Sequence, residues 1–228
     1  MSPDVRRKAT PDLPRTKAER GAEYNSGVFV NCPFDAAYRP LFDAIVFVVF
    51  VCGLIPRSAL EIDDASQTRI DKIATLIGRC RWGIHDISRV ELNEHDLPRF
   101  NMPLELGLFL GAKRFGGSEQ RRKSCLVLDT DPFRFQKFIS DISGQDITPH
   151  GNDPVRIMAA VRNWLSNSLA PREHFVPGGA EIARRFARFQ ADLPALCKEI
   201  RMETNEMTFT DYARMVSAWL RNTEAIGA

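Results

Sequence analysis

Two stretches decide the fold: WGIHDIS at residues 82–88 and NMPLELGL at residues 101–108. The first is an apolar run that ends in Asp86, as expected of a buried strand that stops in a polar loop. The second is an apolar helical pattern that carries one acid, Glu105, in its predicted first turn. A strand followed by a loop and a helix is half of a parallel βαβ unit, so an α/β sheet with two carboxylates at one edge is predicted.

Short apolar runs alternate with helical periods along the chain from residue 27. Because single helices separate the runs, the strands are expected to lie parallel, with helices on both faces. We therefore predict an α/β fold, a three-layer sandwich with a five-stranded, mainly parallel sheet of flavodoxin-like or Rossmann-like type. The predicted strands are 28–32, 55–60, 82–87, 124–128 and 146–148, and the predicted helices are 38–52, 66–79, 101–114, 135–142 and 153–169.

Composition divides the chain into four segments. Residues 1–26 mix prolines with basic residues, show no apolar period and are predicted to be a disordered or loosely attached tail. Residues 27–169 form the predicted α/β domain, and residues 170–180 are a linker rich in proline and glycine. Residues 181–228 are predicted to be a helical extension.

The helical extension is too short to bury a core alone, so it is expected to pack on its own domain or on another subunit. Its second helix is expected to follow Thr208, with Asp211 three residues on as a capping-box variant. An exposed stripe that includes Phe186, Phe189 and Trp219 would favour self-association into a homodimer or larger assembly.

Charge and composition exclude several classes of function. A net charge of +2, without a basic stripe, argues against nucleic acid as the main partner. The longest apolar run, from Ala44 to Cys52 and on to Ile55, is too short to span a bilayer, and the N-terminus lacks an apolar signal core. Five widely spaced cysteines and four histidines show no metal-ligand spacing. A cytoplasmic protein without a membrane partner or a metal is expected.

Polar side chains follow each of the first three predicted strands, where ligands bind in an open parallel sheet. No glycine-rich dinucleotide or P-loop motif is present, so no cofactor is predicted. The catalytic candidates are Glu105 and Asp86. The substrate-binding candidates are Asn31, Pro33, Phe34, Glu61, Asp64, Ser88, Asn101 and Gly107.

Three blocks together resemble the nucleoside 2-deoxyribosyltransferase superfamily. They are VFVNCPF at 28–34, CRWGIHDIS at 80–88 and NMPLELGLFLGAK at 101–113, and the resemblance covers roughly residues 27 to 130. TIR-type NAD hydrolases, which are related by fold, carry a catalytic glutamate at the equivalent place. The resemblance implies that Glu105 attacks or stabilises the anomeric carbon of the sugar, and that Asp86 binds sugar hydroxyls or assists protonation. Asn31 and Cys32 replace the usual small residues of the first loop, so substrate choice does not transfer.

The residues themselves support this chemistry but leave other interpretations open. Breaking an N-glycosidic bond builds positive charge on the sugar, which an ionised carboxylate stabilises. Glu105 could instead be a charge that complements the helix dipole, and Asp86 could cap the turn that follows its strand. The remaining expectations are smaller. Ser66 and Asn101 are expected to cap their helices, and the buried face of the helix after Ser66 is expected to consist of Ile70, Ile73, Ala74 and Ile77. Gly107 would allow a strand or a substrate to approach, and His85 is expected to face away from Asp86. Arg57 and Arg69 are expected to form ordinary ion pairs or to meet a phosphate.

The leading hypothesis is an N-glycosidase that cleaves the base–sugar bond of a nucleoside, nucleotide or NAD-like substrate. The resemblance further implies a role in bacterial defence against phage. The alternative is a non-catalytic sensor of a nucleotide-derived signal, coupled to a partner through the helical extension. A purely structural assembly domain is a third, weaker hypothesis. No cofactor is required, and NAD enters only as a candidate substrate.

Overall fold

The computed structural model describes residues 16–90, 99–169 and 176–227, with side chains described up to Thr223. Within these ranges, five parallel strands form one sheet in the order β2-β1-β3-β4-β5. This is the doubly wound order of flavodoxin-like folds. The predicted three-layer α/β architecture is therefore confirmed. The strands are β1 (Gly27–Asn31), β2 (Ile55–Arg57), β3 (Trp82–Asp86), β4 (Ser124–Asp129) and β5 (Ile147–Pro149).

Seven helices accompany these strands in the described part of the chain. Helices α2 and α5 cover one face of the sheet, and α3 and α4 cover the other, so the central strands β1 and β3 are buried on both sides. Short 3₁₀ turns occupy 134–137 and 140–142, where one helix over 135–142 is predicted. The helices are α1 (Lys17–Ser26), α2 (Arg39–Val51), α3 (Arg69–Arg79), α4 (Asn101–Phe115), α5 (Pro154–Ser168), α6 (Gly179–Glu199) and α7 (Phe209–Gly227).

Helix α2 is apolar nearly all round because neighbours enclose it on several sides. The sheet lies beneath it, α5 lies beside it, and α6 and α7 cover its outer face. Gly53 follows it with a φ of 75°, a conformation that glycine adopts without strain. None of the helices in the described ranges is long and apolar enough to cross a lipid bilayer.

Lys123, just before β4, is only 1% exposed. Its ammonium group donates to the carbonyls of Ile77 (2.6 Å) and Cys80 and therefore satisfies carbonyls at the C-terminus of α3. It also lies 4.6 Å from the centre of the Phe109 ring and 5.3 Å from that of Tyr24. Burial lowers the pKa of Lys123 to about 8.

A disordered or loosely attached tail was predicted over 1–26, but residues 17–26 form α1; residues 1–15 lie outside the described ranges. A capping box starts this helix, because Thr16 accepts from the backbone N–H of Glu19 while the Glu19 carboxylate accepts from the backbone N–H of Thr16. Tyr24 anchors it: the side chain is 2% exposed, and its hydroxyl donates to the carbonyl of Glu119. Tyr24 is a single buried aromatic residue in an otherwise polar stretch, so the sequence shows no helical period that would predict α1.

The helical extension packs on its own sheet domain, which corrects the prediction of an exposed stripe. Phe189 is fully buried and Trp219 is 7% exposed. Phe186, Phe189 and Trp219 all pack against Phe47 of α2, with ring centres 5.3 to 6.1 Å apart. The aromatic stripe that suggested self-association therefore packs against α2 of the same chain. The Thr208–Asp211 capping box is confirmed, because each residue accepts from the other's backbone N–H.

Other local expectations differ in detail. Strand β2 ends at Arg57 rather than at residue 60, because Ser58 begins a 3₁₀ turn by accepting from the N–H of Leu60. Thr68, not Ser66, caps α3, since its hydroxyl accepts from the N–H of Asp71. That start turns Ile70 and Ala74 outward and puts Leu76 in the core beside Ile73 and Ile77.

Candidate functional site

The candidate site lies at the carboxyl edge of the sheet, between β1 and β3, where the strand order reverses. Asn31, the last residue of β1, is 1% exposed and ties three elements together. Its amide nitrogen donates to the Met102 carbonyl of α4 at 2.9 Å and to Nδ1 of His85 on β3 at 3.1 Å. These bonds fix the first turn of α4, and therefore Glu105, against the ends of the two central strands.

Glu105 faces the sheet and is only 5% exposed. No hydrogen-bond donor and no cation within 4 Å contacts its carboxyl group among the described residues. Burial raises the pKa of Glu105 to about 7, and the positive charge of Arg69 on α3 opposes the rise without cancelling it. An acid that is largely withdrawn from water without a fixed partner is costly to the fold, which is typical of groups kept for chemistry.

The position of Glu105 in the helix differs from the prediction. Helix α4 begins at Asn101, so Glu105 lies in the second turn, and no acid occupies the first turn. The backbone N–H groups at a helix start act mainly within that first turn, so they do not hold the carboxyl group ionised. Burial rather than the helix dipole therefore sets its protonation.

Asp86, at the end of β3, has no exposed surface and is held on both carboxylate oxygens. Oδ2 accepts from the Tyr38 hydroxyl at 2.5 Å, and Oδ1 accepts from the Ser88 backbone N–H at 2.8 Å. Nε2 of His150, which follows β5, lies 3.0 Å from Oδ2 but is not aligned for a hydrogen bond. Asp86 therefore joins three loops and presents no exposed surface to a ligand in this conformation.

The two acids lie on opposite faces of the sheet at the same edge. Side chains alternate along β3, so Asp86 faces the side of α2 and α5, whereas His85 faces α4 as expected. Gly83 leaves room for His85, because a Cβ atom there would lie 2.7 Å from its Nε2. Both acids are near enough to Cys32 to raise the pKa of its buried thiol further, after the larger effect of burial. Asp86 and Glu105 therefore both lie near the Cys32 thiol, but they do not hydrogen-bond to each other.

Asp129, at the end of β4, extends the polar edge. Its Oδ1 accepts from Nε and Nη2 of Arg134 at 2.8 and 2.6 Å, and Arg134 also donates to the Ser88 carbonyl. Burial raises the pKa of Asp129, while Arg134 opposes the rise. Several buried polar atoms near this edge have no partner among the described residues: Asn31 Oδ1, Ser88 Oγ, Arg89 Nε and Asp129 Oδ2. Such orphans concentrate where a ligand or water completes the bonding.

Pro33 and Phe34 lie in the loop after β1, on the side of the helical hairpin formed by α6 and α7. Phe34 is 38% exposed and packs edge-on against Phe42. It lines a cavity of about 620 Å³, which we call the Phe34 cavity. Leu193 and Met207 of the hairpin line the same cavity, so the loop that follows β1 contacts both the site edge and the extension.

The structure places four predicted site residues outside this cluster. Glu61 accepts from Arg57 Nε at 2.8 Å, and Asp64, which is half-buried, accepts from the hydroxyl of Ser66. Asn101 is exposed and is the first helical residue of α4, so the prediction that it caps this helix is wrong; Phe100 precedes it without a side-chain bond. Gly107 faces open space, and no strand among the described residues approaches it.

The site contains residues that sequence reasoning missed, namely Tyr38, Asp129, Arg134 and His150. Asp129 and His150 follow strands, so the rule that identified Asp86 also applies to them. Tyr38 immediately precedes α2 within an apolar pattern, where nothing marks its hydroxyl as a partner of Asp86. Arg134 follows the predicted fourth strand in an irregular segment and carries no periodic signal.

No group of three or more histidine, cysteine or acidic side chains in the described ranges is arranged to hold a metal ion. The ends of β1 and β3 and the start of α4 bring four of the predicted site residues to one edge of the sheet: Asn31, Asp86, Ser88 and Glu105. The sequence matches no protein-family model, and no curated protein and no solved structure is significantly similar to it.

Proposed function

We propose that this protein is an N-glycosidase that cleaves the bond between base and sugar in a nucleoside, nucleotide or NAD-like substrate. The observation that carries the proposal is the burial of Glu105 without a fixed partner, at the point where strand order reverses. A structural acid in this place would be expected to have a donor for each oxygen, as Asp86 does. Glu105 instead keeps its carboxyl group available.

Glu105 is the proposed catalytic residue. Its ionised carboxylate lies beside the anomeric carbon and either attacks it or stabilises the oxocarbenium-like ring as the base leaves. Removal from water strengthens this attraction, because little solvent screens the two charges. The base leaves with the electron pair of the glycosidic bond, water adds to the anomeric carbon, and the proton that water loses passes to the departing base. Hydrolysis is favoured over transfer because nothing in the sequence marks a pocket for an acceptor base.

Asp86 is proposed as a positioning residue in this structure. By holding the Tyr38 loop, the Ser88 turn and His150 together, it fixes the rim of the site. Asn31 does the same for the first turn of α4. The unpaired oxygen atoms Asn31 Oδ1 and Ser88 Oγ are the proposed acceptors for sugar hydroxyls.

The test is release of free base, measured by chromatography after incubation with NAD, nucleosides, 2′-deoxynucleosides and nucleotides. Glu105→Gln keeps the shape of the side chain but removes its charge, so we expect it to lower the rate by roughly a hundredfold or more. Glu199→Gln, on the exposed surface of α6, is the matched control and should leave the rate unchanged. A Glu105→Gln protein with the full rate would refute the assignment.

The sensor hypothesis has one observation in its favour. The Phe34 cavity is lined both by the loop after β1 and by the hairpin, so an occupied site has a direct route to α6 and α7. Calorimetry separates the two functions. Tight binding of one of these ligands to the wild-type chain, without any release of base, supports the sensor and contradicts the glycosidase.

A further inference from the structure

A groove of about 440 Å³ runs between the edge strand β2 and helix α7, away from Glu105. We call it the β2–α7 pocket. Its size falls in the range of small-molecule sites, and it lies at the junction of the sheet and the helical hairpin. The glycosidase proposal assigns it no role.

The floor of the β2–α7 pocket is apolar. Phe50 of α2, Phe209 of α7 and the side chains of Ile55 and Pro56 on β2 line it. Ile55 lies on the edge strand of the sheet and is 48% exposed. A flat apolar or aromatic body of a ligand would cover this surface and remove it from water.

The rim of the pocket is cationic. Arg214 and Arg221 lie seven residues apart on α7, and therefore on the same face of the helix, with Ser217 between them. Nη1 of Arg221 donates to the Ser217 hydroxyl at 2.6 Å. Neither guanidinium has a carboxylate within 4 Å among the described side chains. Two uncompensated guanidiniums beside hydroxyl groups favour phosphate oxygens as ligands.

The acid that lines the pocket does not cancel this charge. The Glu61 carboxylate is held by Arg57, whose Nε lies 2.8 Å from Oε1, and the Arg57 guanidinium also reaches Glu23 at 3.1 Å. Arg57 therefore holds the carboxylates of both Glu61 and Glu23, and Arg214 and Arg221, which pair with neither acid, remain for a ligand.

We propose that the β2–α7 pocket binds a nucleoside phosphate, with the phosphate on Arg214 and Arg221 and the base on the floor formed by Phe50, Phe209 and Ile55. This site is separate from the proposed glycosidase site and does not depend on its activity. Because it joins the sheet edge to the hairpin, an occupied pocket stabilises that junction.

The test is calorimetric titration of the full chain carrying Glu105→Gln, which prevents turnover from interfering. Adenosine 5′-monophosphate is the probe, with adenosine and inorganic phosphate as separate arms. We expect the monophosphate to bind more tightly than either part, and its affinity to fall as salt rises. Phosphate or adenosine alone binding as tightly as the monophosphate would overturn the proposal.

A double variant locates the binding. Arg214→Gln with Arg221→Gln should weaken the monophosphate by roughly tenfold or more, because it removes charge-assisted hydrogen bonds. Lys113→Gln with Arg114→Gln removes the same charge from the exposed end of α4 and should leave affinity within about twofold. Equal binding by the Arg214/Arg221 variant would place the ligand elsewhere and refute the site, as would no binding at millimolar monophosphate.

Discussion

At the scale of single residues, Glu105 and Asp86 show how the same acid group takes different roles in one site. Asp86 is fully buried and has a donor for each oxygen, so its carboxyl group is held where it lies. Glu105 is nearly as buried but has only the distant charge of Arg69 to favour its anion. The pKa of Glu105, about 7, therefore makes its charge sensitive to pH near neutrality.

The first consequence concerns activity. The proposed role needs the ionised carboxylate, so kcat/KM should fall roughly tenfold for each pH unit below about 7 and level off above it. Arg69→Gln removes the charge that lowers this pKa and should move the midpoint upward, whereas Arg79→Gln at the far end of α3 should not. A rate that decreases as pH rises through 7 would contradict this role.

The second consequence has the opposite sign and concerns stability. The ordinary pKa of the group is 4.5, so between about pH 4.5 and 7 the folded chain keeps a proton that the unfolded chain releases. The free energy of unfolding should therefore fall through this window, by up to about 3 kcal/mol. Glu105→Gln cannot ionise. Its stability relative to wild type should therefore grow between about pH 5 and about pH 8 in urea unfolding.

Glu199→Gln provides the comparison for that measurement, because this side chain stays exposed to solvent in the folded protein. Its stability relative to wild type should stay constant over the same range. A constant difference for Glu105→Gln as well would show that Glu105 is solvated rather than buried.

Part of this site could be predicted from the sequence. Asn31, Asp86 and Ser88 follow buried strands, and the parallel pattern is enough to bring them to one edge. The partners of Asp86 could not be predicted, because Tyr38 and His150 lie 48 and 64 residues away along the chain, and only the folded sheet brings them together. The raised pKa of Glu105 also could not be predicted, because it depends on the burial of the side chain, which the apolar periodicity of the helix does not reveal.

At the scale of elements, α1 shows where local pattern is insufficient. Its helix carries one buried anchor, Tyr24, whose hydroxyl donates to Glu119 O at 2.7 Å and whose carbonyl accepts from Arg81 N–H at 2.9 Å. Strongly periodic helices such as α5 were predicted to within a residue at each end, because a continuous apolar face defines them. A helix held by a single side chain provides no such period.

Tyr24→Ala should therefore destabilise the protein by about 3 kcal/mol, because it removes a buried ring from between α1 and the sheet domain. Tyr24→Phe, which removes only the hydroxyl, should cost about 1 kcal/mol. Thermal or urea unfolding measures both. A neutral Tyr24→Ala would mean that α1 is a loosely attached tail after all.

At the scale of the whole molecule, the helical hairpin and the sheet share one core. Phe47 of α2 lies against Phe186 and Phe189 of α6 and Trp219 of α7, so separating the hairpin exposes α2. From the sequence, the hairpin could pack on its own domain or on another subunit. The apolar stripe does not distinguish the two, because either partner would bury the same side chains.

Phe189→Ala should consequently cost about 3 to 5 kcal/mol and lower the stability of the sheet and the hairpin together. Far-UV circular dichroism and tryptophan fluorescence should report one coincident transition. Phe115→Ala removes a ring that is 86% exposed and should change stability by less than about 0.5 kcal/mol. Two separate transitions would show that the hairpin folds apart from the sheet.

Lys123 has a chemical consequence that follows from its burial. With a pKa of about 8, a measurable share of this amine is unprotonated and nucleophilic near neutral pH, yet the rings of Tyr24 and Phe109 enclose it. An acylating reagent can reach it only when α1 or α3 separates from the sheet. The rate at which Lys123 is acylated therefore reports how often that helical layer separates from the sheet. An exposed lysine is acylated without any such opening.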